Sequence, residues 1–379
     1  MKICFFGYVN LQKKEGASLS LVNVMEEMVR RGHTVYFVTP DKHIIHQMNS
    51  MGIKCIYLLS YTMRQNQNET GIKGKVKFFL KNIVNLIAII RGKEQLKAYD
   101  FDVIHINGID NHVGAAIAAK LKIPYYWHIR QFLQEDLGKR IVGEKVVIKY
   151  LQNADGVIGI SRAVEEKYES ILKREVSLIY NGIPLTNYEV GSVNRFNSDI
   201  VRLLLAGRIT ENKGQLEAVR AIKILKDKGF SNLSLTIVGN AESHYLQTIN
   251  SEIDKSEIKD NVVILDYCDD LNELRKQSDI GLVCSKNEAF GRVTIEYMCA
   301  EMLVIGANTG GTLELIHDKK TGLLYQQGNE KDLADKIEYA IQNVVEMREI
   351  AKNSKMYALQ NFSIERVCDE ILKLYNRGK

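Results

Sequence analysis

The sequence predicts an α/β protein made of two doubly wound domains, each built on a parallel sheet. Three observations predict it. Short apolar runs alternate with amphipathic helical stretches along the chain. The pattern starts afresh near residue 201. The 379 residues also exceed the roughly 250–300 that one hydrophobic core serves. Strands alternating with helices place helices on both faces of a parallel sheet.

The first half opens with an apolar strand at residues 2–6, ending at Gly7. A polar loop with Gly16 follows. Ser18 is the expected N-cap of a helix whose stripe is Leu19, Val22, Val24, Met25, Met28 and Val29. Gly32 stops that helix after Arg30 and Arg31, and residues 34–38 form the next strand. Alternation continues with a strand at 54–59, a helix at 78–90, a strand at 103–106, a helix at 113–121 and a strand at 125–128. Further strands are expected at 156–160 and 176–179.

The second half repeats this opening. Residues 201–206 form a strand that ends at Gly207, and the loop RITENKG leads to a helix at 215–228 stopped by Gly229. Strands follow at 233–238, 262–265, 280–283, 304–305 and 323–325. Residues 181–200 are polar, aperiodic and carry Pro184, as linkers do. The expected domains are residues 1–185 and 200–362, followed by a C-terminal segment, 363–379, whose amphipathic part is Ile364–Arg377. No short-period repeat suggests a solenoid.

With 45% hydrophobic and 26% charged residues, the chain is composed like a soluble globular protein, not a disordered, collagenous or coiled-coil one. Its six cysteines are scattered, without a C-x-x-C pair, so a reduced, cytosolic compartment fits better than a disulfide framework. The opening run MKICFFGYVN is too short for a signal-peptide core. The longest apolar stretch, 78–90, is broken by Lys81, Asn82 and Asn85, and falls short of the roughly 20 residues a spanning helix needs. No transmembrane segment is expected.

The net charge of +5 is unevenly spread: residues 1–180 hold 26 Lys+Arg against 17 Asp+Glu. Eight cations and two anions lie between Arg64 and Lys97, around the apolar stretch. A basic amphipathic helix at 73–97 suits an anionic membrane interface. It reads equally as an ordinary helix with a solvated basic face. Nucleic acid is not expected, since no binding motif or base-stacking pattern accompanies the charge.

The strongest chemical signal is SKNEAFGRVTIEYMCA at 285–300. Glu288 stands in the loop after a strand, and Gly291 allows close backbone approach. A helix then begins, and its free N–H groups and dipole suit phosphate. Glu296 lies further along it. Two carboxylates flanking such a helix start could accept hydroxyls from a hexose and a ribose, holding both ends of a nucleotide sugar. By spacing alone, the pair reads as well as a surface loop and a solvated helical glutamate. Arg208 and Lys213, in the loop after the strand at 201–206, offer a planar fork and a point charge to a diphosphate. The loop Glu15-Gly16-Ala17-Ser18 permits close approach but is no G-x-G-x-x-G fingerprint. His128, in WHIR at the strand 125–128, could bond a sugar hydroxyl, though a lone histidine is more often structural than catalytic; His105, in VIHING at another strand end, reads the same way. Asp100-Phe101-Asp102 superficially matches a D-x-D metal motif but sits where it would lead into a strand. Asp269-Asp270 reads as a helix cap. No His/Cys/Asp cluster has metal-ligand spacing.

These elements, in this order, resemble the family 4 retaining glycosyltransferases of bacterial surface-polysaccharide type, which have the GT-B fold. The likeness is carried by PYYWH ending at His128, ADGVIGIS at 154–161, YNGIP at 180–184, GRITENKG at 207–214, the E-x7-E of Glu288 and Glu296, NTGGTLELI at 308–316 and TGLLY at 321–325. It implies two Rossmann-like domains facing across a cleft, with the final helix crossing back onto the first. It implies that Arg208 and Lys213 bind the donor diphosphate, Glu288 the transferred hexose and Glu296 the ribose. Phe290 and Gly291 would approach the sugar and phosphates, with His128 and Gly16 across the cleft. Glu288 and His128 are the expected catalytic residues. No cofactor and no metal is expected; the nucleotide sugar, UDP-linked, is a substrate. The sequence departs from the family's E-A-M-x-x-G-x-P: Tyr297 stands for Ala, Glu301 for Gly, and no Pro follows. Ala241 stands for the usual glycine after Gly239.

The reaction this implies moves a hexose to a hydroxyl acceptor with retention, by same-face attack assisted by the leaving phosphate. The expected acceptor is a saccharide or lipid-linked saccharide at the cytoplasmic face of a membrane. Two alternatives are a GT-B sugar-nucleotide epimerase and a non-enzymatic nucleotide-sugar-binding partner.

Overall fold

The computed structural model describes residues 1–10, 16–66, 71–132, 139–191, 193–268 and 270–377. They form two compact units. One runs from Met1 to Ile183 and takes in the C-terminal segment from Ile364; the other is Pro184–Ser363.

The first unit carries β1 (Lys2–Phe6), α1 (Gly16–Arg30), β2 (Thr34–Thr39), α2 (Ile45–Ser50), β3 (Lys54–Tyr57), β4 (Arg64–Asn66), α3 (Ile72–Lys97), β5 (Val103–Asn107), α4 (His112–Leu121), β6 (Tyr125–Ile129), β7 (Lys139–Ile141), α5 (Glu144–Gln152), β8 (Gly156–Gly159), α6 (Arg162–Leu172) and β9 (Ser177–Leu178). A seven-stranded sheet has the order β3-β2-β1-β5-β6-β8-β9, and every pair is parallel. Its central strands β5, β6 and β8 are buried throughout, as helices on both faces require. Asp102 leads into β5 by accepting the Lys2 N–H at 2.8 Å, so the D-x-D lookalike is a strand lead-in.

The second unit carries β10 (Val201–Ala206), α7 (Gln215–Asp227), β11 (Leu233–Val238), α8 (Ser243–Lys255), β12 (Val262–Leu265), α9 (Asn272–Gln277), β13 (Ile280–Val283), α10 (Arg292–Cys299), β14 (Leu303–Ala307), α11 (Thr312–Leu315), β15 (Leu323–Tyr325), α12 (Glu330–Gln342) and α13 (Val344–Asn361). Its six-stranded parallel sheet has the order β12-β11-β10-β13-β14-β15. The last helix, α14 (Ile364–Arg377), returns to the first unit. It buries Ile364, Val367, Cys368, Ile371 and Tyr375, one helical face, and Asp369 pairs with Arg31 just past α1.

Several expectations need correction. Ser18 is no N-cap: α1 already begins at Gly16, and the buried Ser18 hydroxyl accepts the Asn10 N–H at 3.1 Å. Glu15 and Asp269 lie outside the described residues. Asp270 accepts the Asn272 N–H at 2.8 Å as α9 starts. The helix expected at 78–90 is much longer, because the polar residues flanking its apolar stretch are themselves good helix formers. The strand expected at 54–59 stops at Tyr57. Most of the expected linker is part of the second unit. Leu185 is buried, and the Arg195 guanidinium donates to backbone carbonyls of Arg275, Lys276, Ser278, Ala300 and Glu301. One long side chain anchors a stretch that polarity and lack of period made look free.

Candidate active site

In the second sheet, β10 is followed in the chain by β11 on one side, whereas β13 lies against its other side. The order of strands therefore reverses between β10 and β13. Open α/β sheets bind ligands beyond the carboxyl ends of the strands at such a switch point. The loops leaving these two strands are Gly207–Gly214 and Ser285–Gly291, and they are stitched together. The Lys286 N–H donates to the Asn212 carbonyl at 2.8 Å, and Lys286 Nζ pairs with Glu211 at 2.7 Å. Lys213 Nζ reaches Glu288 Oε2 at 2.6 Å. Gly214, at φ +70°, closes the first loop against the second strand: a Cβ there would stand 2.1 Å from the Cys284 carbonyl oxygen.

Glu288 is held from behind by the loop after β14. The Gly311 N–H donates to the Glu288 carbonyl at 2.7 Å, and a Cβ on Gly310 would stand 2.5 Å from that oxygen. Phe290 is buried, its ring 6.0 Å from that of Phe362 in an edge-on arrangement. Gly291, at φ +99°, is the N-cap of α10. A Cβ on Gly291 would stand 3.3 Å from Glu288 Cγ, so the start of this helix lies beside the Glu288 side chain. Glu296, on this helix, accepts from Arg275 Nη2 at 2.6 Å, and no described residue bonds its second carboxylate oxygen. Arg275, nearly buried, stacks on Tyr188 with its guanidinium carbon 5.0 Å from the ring centre. Arg208 stands exposed in the first loop, and its own carbonyl accepts from the buried Gln215 amide at 2.8 Å.

Two of the expected residues belong to the first unit. Gly16 is the exposed first residue of α1. His128, near the carboxyl end of β6, is fully buried. Its Nδ1 lies 3.3 Å from His105 Nε2, and among the described residues its Nε2 has no partner. Burial and the neighbouring Arg130 push His105 down to about 3, and the same causes, with His105 added, hold His128 well below the usual histidine range. Both imidazoles are therefore neutral at physiological pH. Arg130 donates to Asn107 Oδ1 at 2.6 Å and to Asn181 Oδ1.

The second unit thus gathers Arg208, Lys213, Glu288, Phe290, Gly291 and Glu296 around one switch point: two cations, two carboxylates and a helix start. Sequence reading assigned no role to Arg275, Gly310 and Gly311. The paired glycines after a strand in NTGGTLELI were the available signal for the last two; Arg275, in an ordinary helical stretch, carries none.

Two family models match the chain. One, described as "Glycosyl transferases group 1", spans residues 192–356, and the other, "Glycosyltransferase Family 4", spans residues 15–187. The chain belongs to the GT-B glycosyltransferases. This glycosyltransferase is 23% identical over 361 residues to the capsular polysaccharide biosynthesis glycosyltransferase CapM of Staphylococcus aureus, covering 80% of this chain and 93% of that one. In three dimensions it resembles Alr3699/HepE of Anabaena, solved in complex with UDP, with a TM-score of 0.80, 20% identity and full coverage of both chains. A glycosyltransferase from Rickettsia africae gives a TM-score of 0.81 at 19% identity, over 100% of this chain and 98% of that one. The glycosyltransferase's departures from its family's usual motif have structural counterparts. Tyr297 is wholly buried and its hydroxyl accepts the Ala206 N–H at 2.7 Å. Glu301 adopts φ +54°, the conformation a glycine would take there without strain. Among the described residues, no helix is long and apolar enough to cross a membrane.

Proposed function

We propose that this glycosyltransferase moves a hexose from a UDP-linked sugar to a hydroxyl of a saccharide acceptor, with retention and without a metal ion. The observation that carries the reading is the contact of Lys213 with Glu288 at the β10/β13 switch point, 2.6 Å. Each is the other's stand-in partner. A diphosphate takes Lys213 and leaves Glu288 to accept hydroxyls of the hexose. Arg208 is exposed and adds a second cation to the diphosphate. The start of α10 lends its N–H groups to the same negative charge, which grows as the leaving group departs. Glu296 is oriented through one oxygen by Arg275, and its other oxygen serves the ribose hydroxyls. Gly16 and His128, in the first unit, are the remaining donor contacts on this reading, His128 by a hydrogen bond to the hexose. Among the described residues no side chain stands as a nucleophile, and on this reading the leaving phosphate assists attack on the same face. The HepE structure with UDP-glucose bound is consistent with a UDP-linked donor here.

The acceptor is proposed to be lipid-linked, and the support is α3. Ile72, Val76, Phe79, Leu80, Leu86 and Ile90 expose 82, 53, 64, 57, 61 and 66% of their surface and share one helical face. Lysines and arginines flank them. Such a face fits an anionic lipid surface.

A donor panel without acceptor tests the reading. One nucleotide sugar should raise the melting temperature and be slowly hydrolysed, with or without EDTA, and Glu288→Ala should abolish nucleotide release. No response to any nucleotide sugar, or release that EDTA abolishes, would refute the reading.

A further inference from the structure

A chain of three buried side chains connects the last helix to His128. The Tyr375 hydroxyl, carried by α14, lies 2.6 Å from His105 Nδ1. His105 Nε2 lies 3.3 Å from His128 Nδ1. Among the described residues His128 Nε2 is then left without a partner, fully buried. All three residues are at most 3% exposed, and both contacts are direct. The chain has a direction. A phenol is a strong donor and a poor acceptor, and imidazole nitrogen is a strong acceptor. Among the described residues the Tyr375 hydroxyl has no second partner, so its hydrogen must go to His105 Nδ1. A neutral His105 then carries its own hydrogen on Nε2 and donates it to His128 Nδ1. The remaining hydrogen of His128 is forced onto Nε2.

We propose that Tyr375 is a positioning residue that acts through His105 to lock His128 in the tautomer with its proton on Nε2, so that His128 offers the donor hexose a hydrogen-bond donor and never an acceptor. This rests on the reading that His128 meets the hexose. Reversal of the chain would leave a buried phenol hydrogen with no acceptor and turn Nε2 into an acceptor, so the last helix decides which sugar oxygens His128 can recognise. A hydroxyl or ether oxygen in acceptor mode fits. The burial of both rings keeps them neutral, which the relay needs at each link.

The test uses the full-length enzyme labelled with nitrogen-15 in histidine. Long-range proton–nitrogen spectra, assigned with His105→Gln, should show His105 and His128 each as a single neutral tautomer protonated on Nε2. Tyr375→Phe keeps the ring that packs 4.8 Å from Tyr126, and should turn both histidines into tautomer mixtures. It should also lower kcat/KM for the donor by a factor of roughly 5–30, the size of one lost hydrogen bond. His128 protonated on Nδ1 in the active wild-type enzyme would overturn the relay and leave the proposed reaction standing. Unchanged tautomers in Tyr375→Phe would overturn the role of Tyr375. Wild-type turnover by His128→Ala would overturn the reading beneath it and the relay's purpose together. The wild-type spectrum decides the direction of the chain even where a variant fails to fold.

Discussion

Tyr297 fills the space that Gly281 leaves open: a Cβ on Gly281 would stand 2.3 Å from Cδ2 of the Tyr297 ring. The two residues sit on α10 and β13, the elements that carry the Glu288 loop between them. The bulky departure from the family's alanine is thus matched by a missing side chain on the strand beneath.

Gly281→Ala should therefore overpack this layer and lower the unfolding free energy by about 1–3 kcal/mol. Tyr297→Ala alone should also destabilise, by leaving a cavity and an unpaired Ala206 N–H. The double variant should lose less than the sum of the two, which denaturant titration of all four proteins measures. Additive losses would show that the ring and the glycine are not coupled.

Lys213 and Glu288 are partly exposed, 27 and 18%, so their ion pair adds little to stability, at most about 1 kcal/mol. Lys213→Ala should leave the melting temperature nearly unchanged while slowing nucleotide release by roughly 100- to 1000-fold, as loss of one charge-stabilising donor does. A large drop in melting temperature with full turnover would mark the pair as structural.

Gly311→Ala probes the support behind the acid loop. Its Cβ would stand 2.7 Å from the Phe290 Cα and 2.8 Å from the Phe290 carbonyl oxygen, backbone atoms that cannot swing aside. The loop carrying Glu288 must shift, and a misplacement of about 1 Å costs on the order of 100-fold in rate. Steady-state kinetics with the identified donor should show this loss in a protein whose circular dichroism is unchanged.

Flotation with phosphatidylglycerol vesicles tests α3. The wild type should float at low salt and dissociate at about 1 M salt, where the screening length falls to about 3 Å. Leu80→Glu with Leu86→Glu should abolish flotation without changing donor hydrolysis. Retention on neutral vesicles alone, or none at low salt, would remove the support for a membrane-borne acceptor.

Glu301→Gly tests the other departure. Glu301 occupies the left-handed region at φ +54°, where an L side chain costs roughly 1–2 kcal/mol. The substitution gives up the contact with Lys355 at 3.3 Å and adds glycine's chain entropy. The net should be a stabilisation of about 0.5 kcal/mol, read as a higher urea midpoint at unchanged slope.

Much of the fold was legible because its signals are local. The run Val201–Ala206, the stop at Gly229 and the stripe of Ile364–Arg377 each state an element through period and punctuation within one stretch of chain. The repeated opening of the two halves followed from the same signals. What escaped has no such local mark. β4 and β7 are three-residue polar strands that exist only because Arg64 pairs across to Ile141 in an antiparallel register. Residues 181–200 read as a linker because the carbonyls to which Arg195 donates, and which anchor it, lie some 80 to 106 positions away.

The site divides in the same way. The loops that bear Arg208, Lys213, Glu288 and Gly291 follow strands, and the sequence by itself determined that they do, and with them which residue types stand ready to meet phosphate and sugar. Only the tertiary structure decided that Lys213 touches Glu288, that Arg275 holds one oxygen of Glu296, and that Tyr375 reaches His105 from the far end of the chain. Those contacts depend on which strands lie side by side in the sheet and where the last helix docks. Strand order is set by the burial of many apolar residues at once, so no short stretch of sequence contains it.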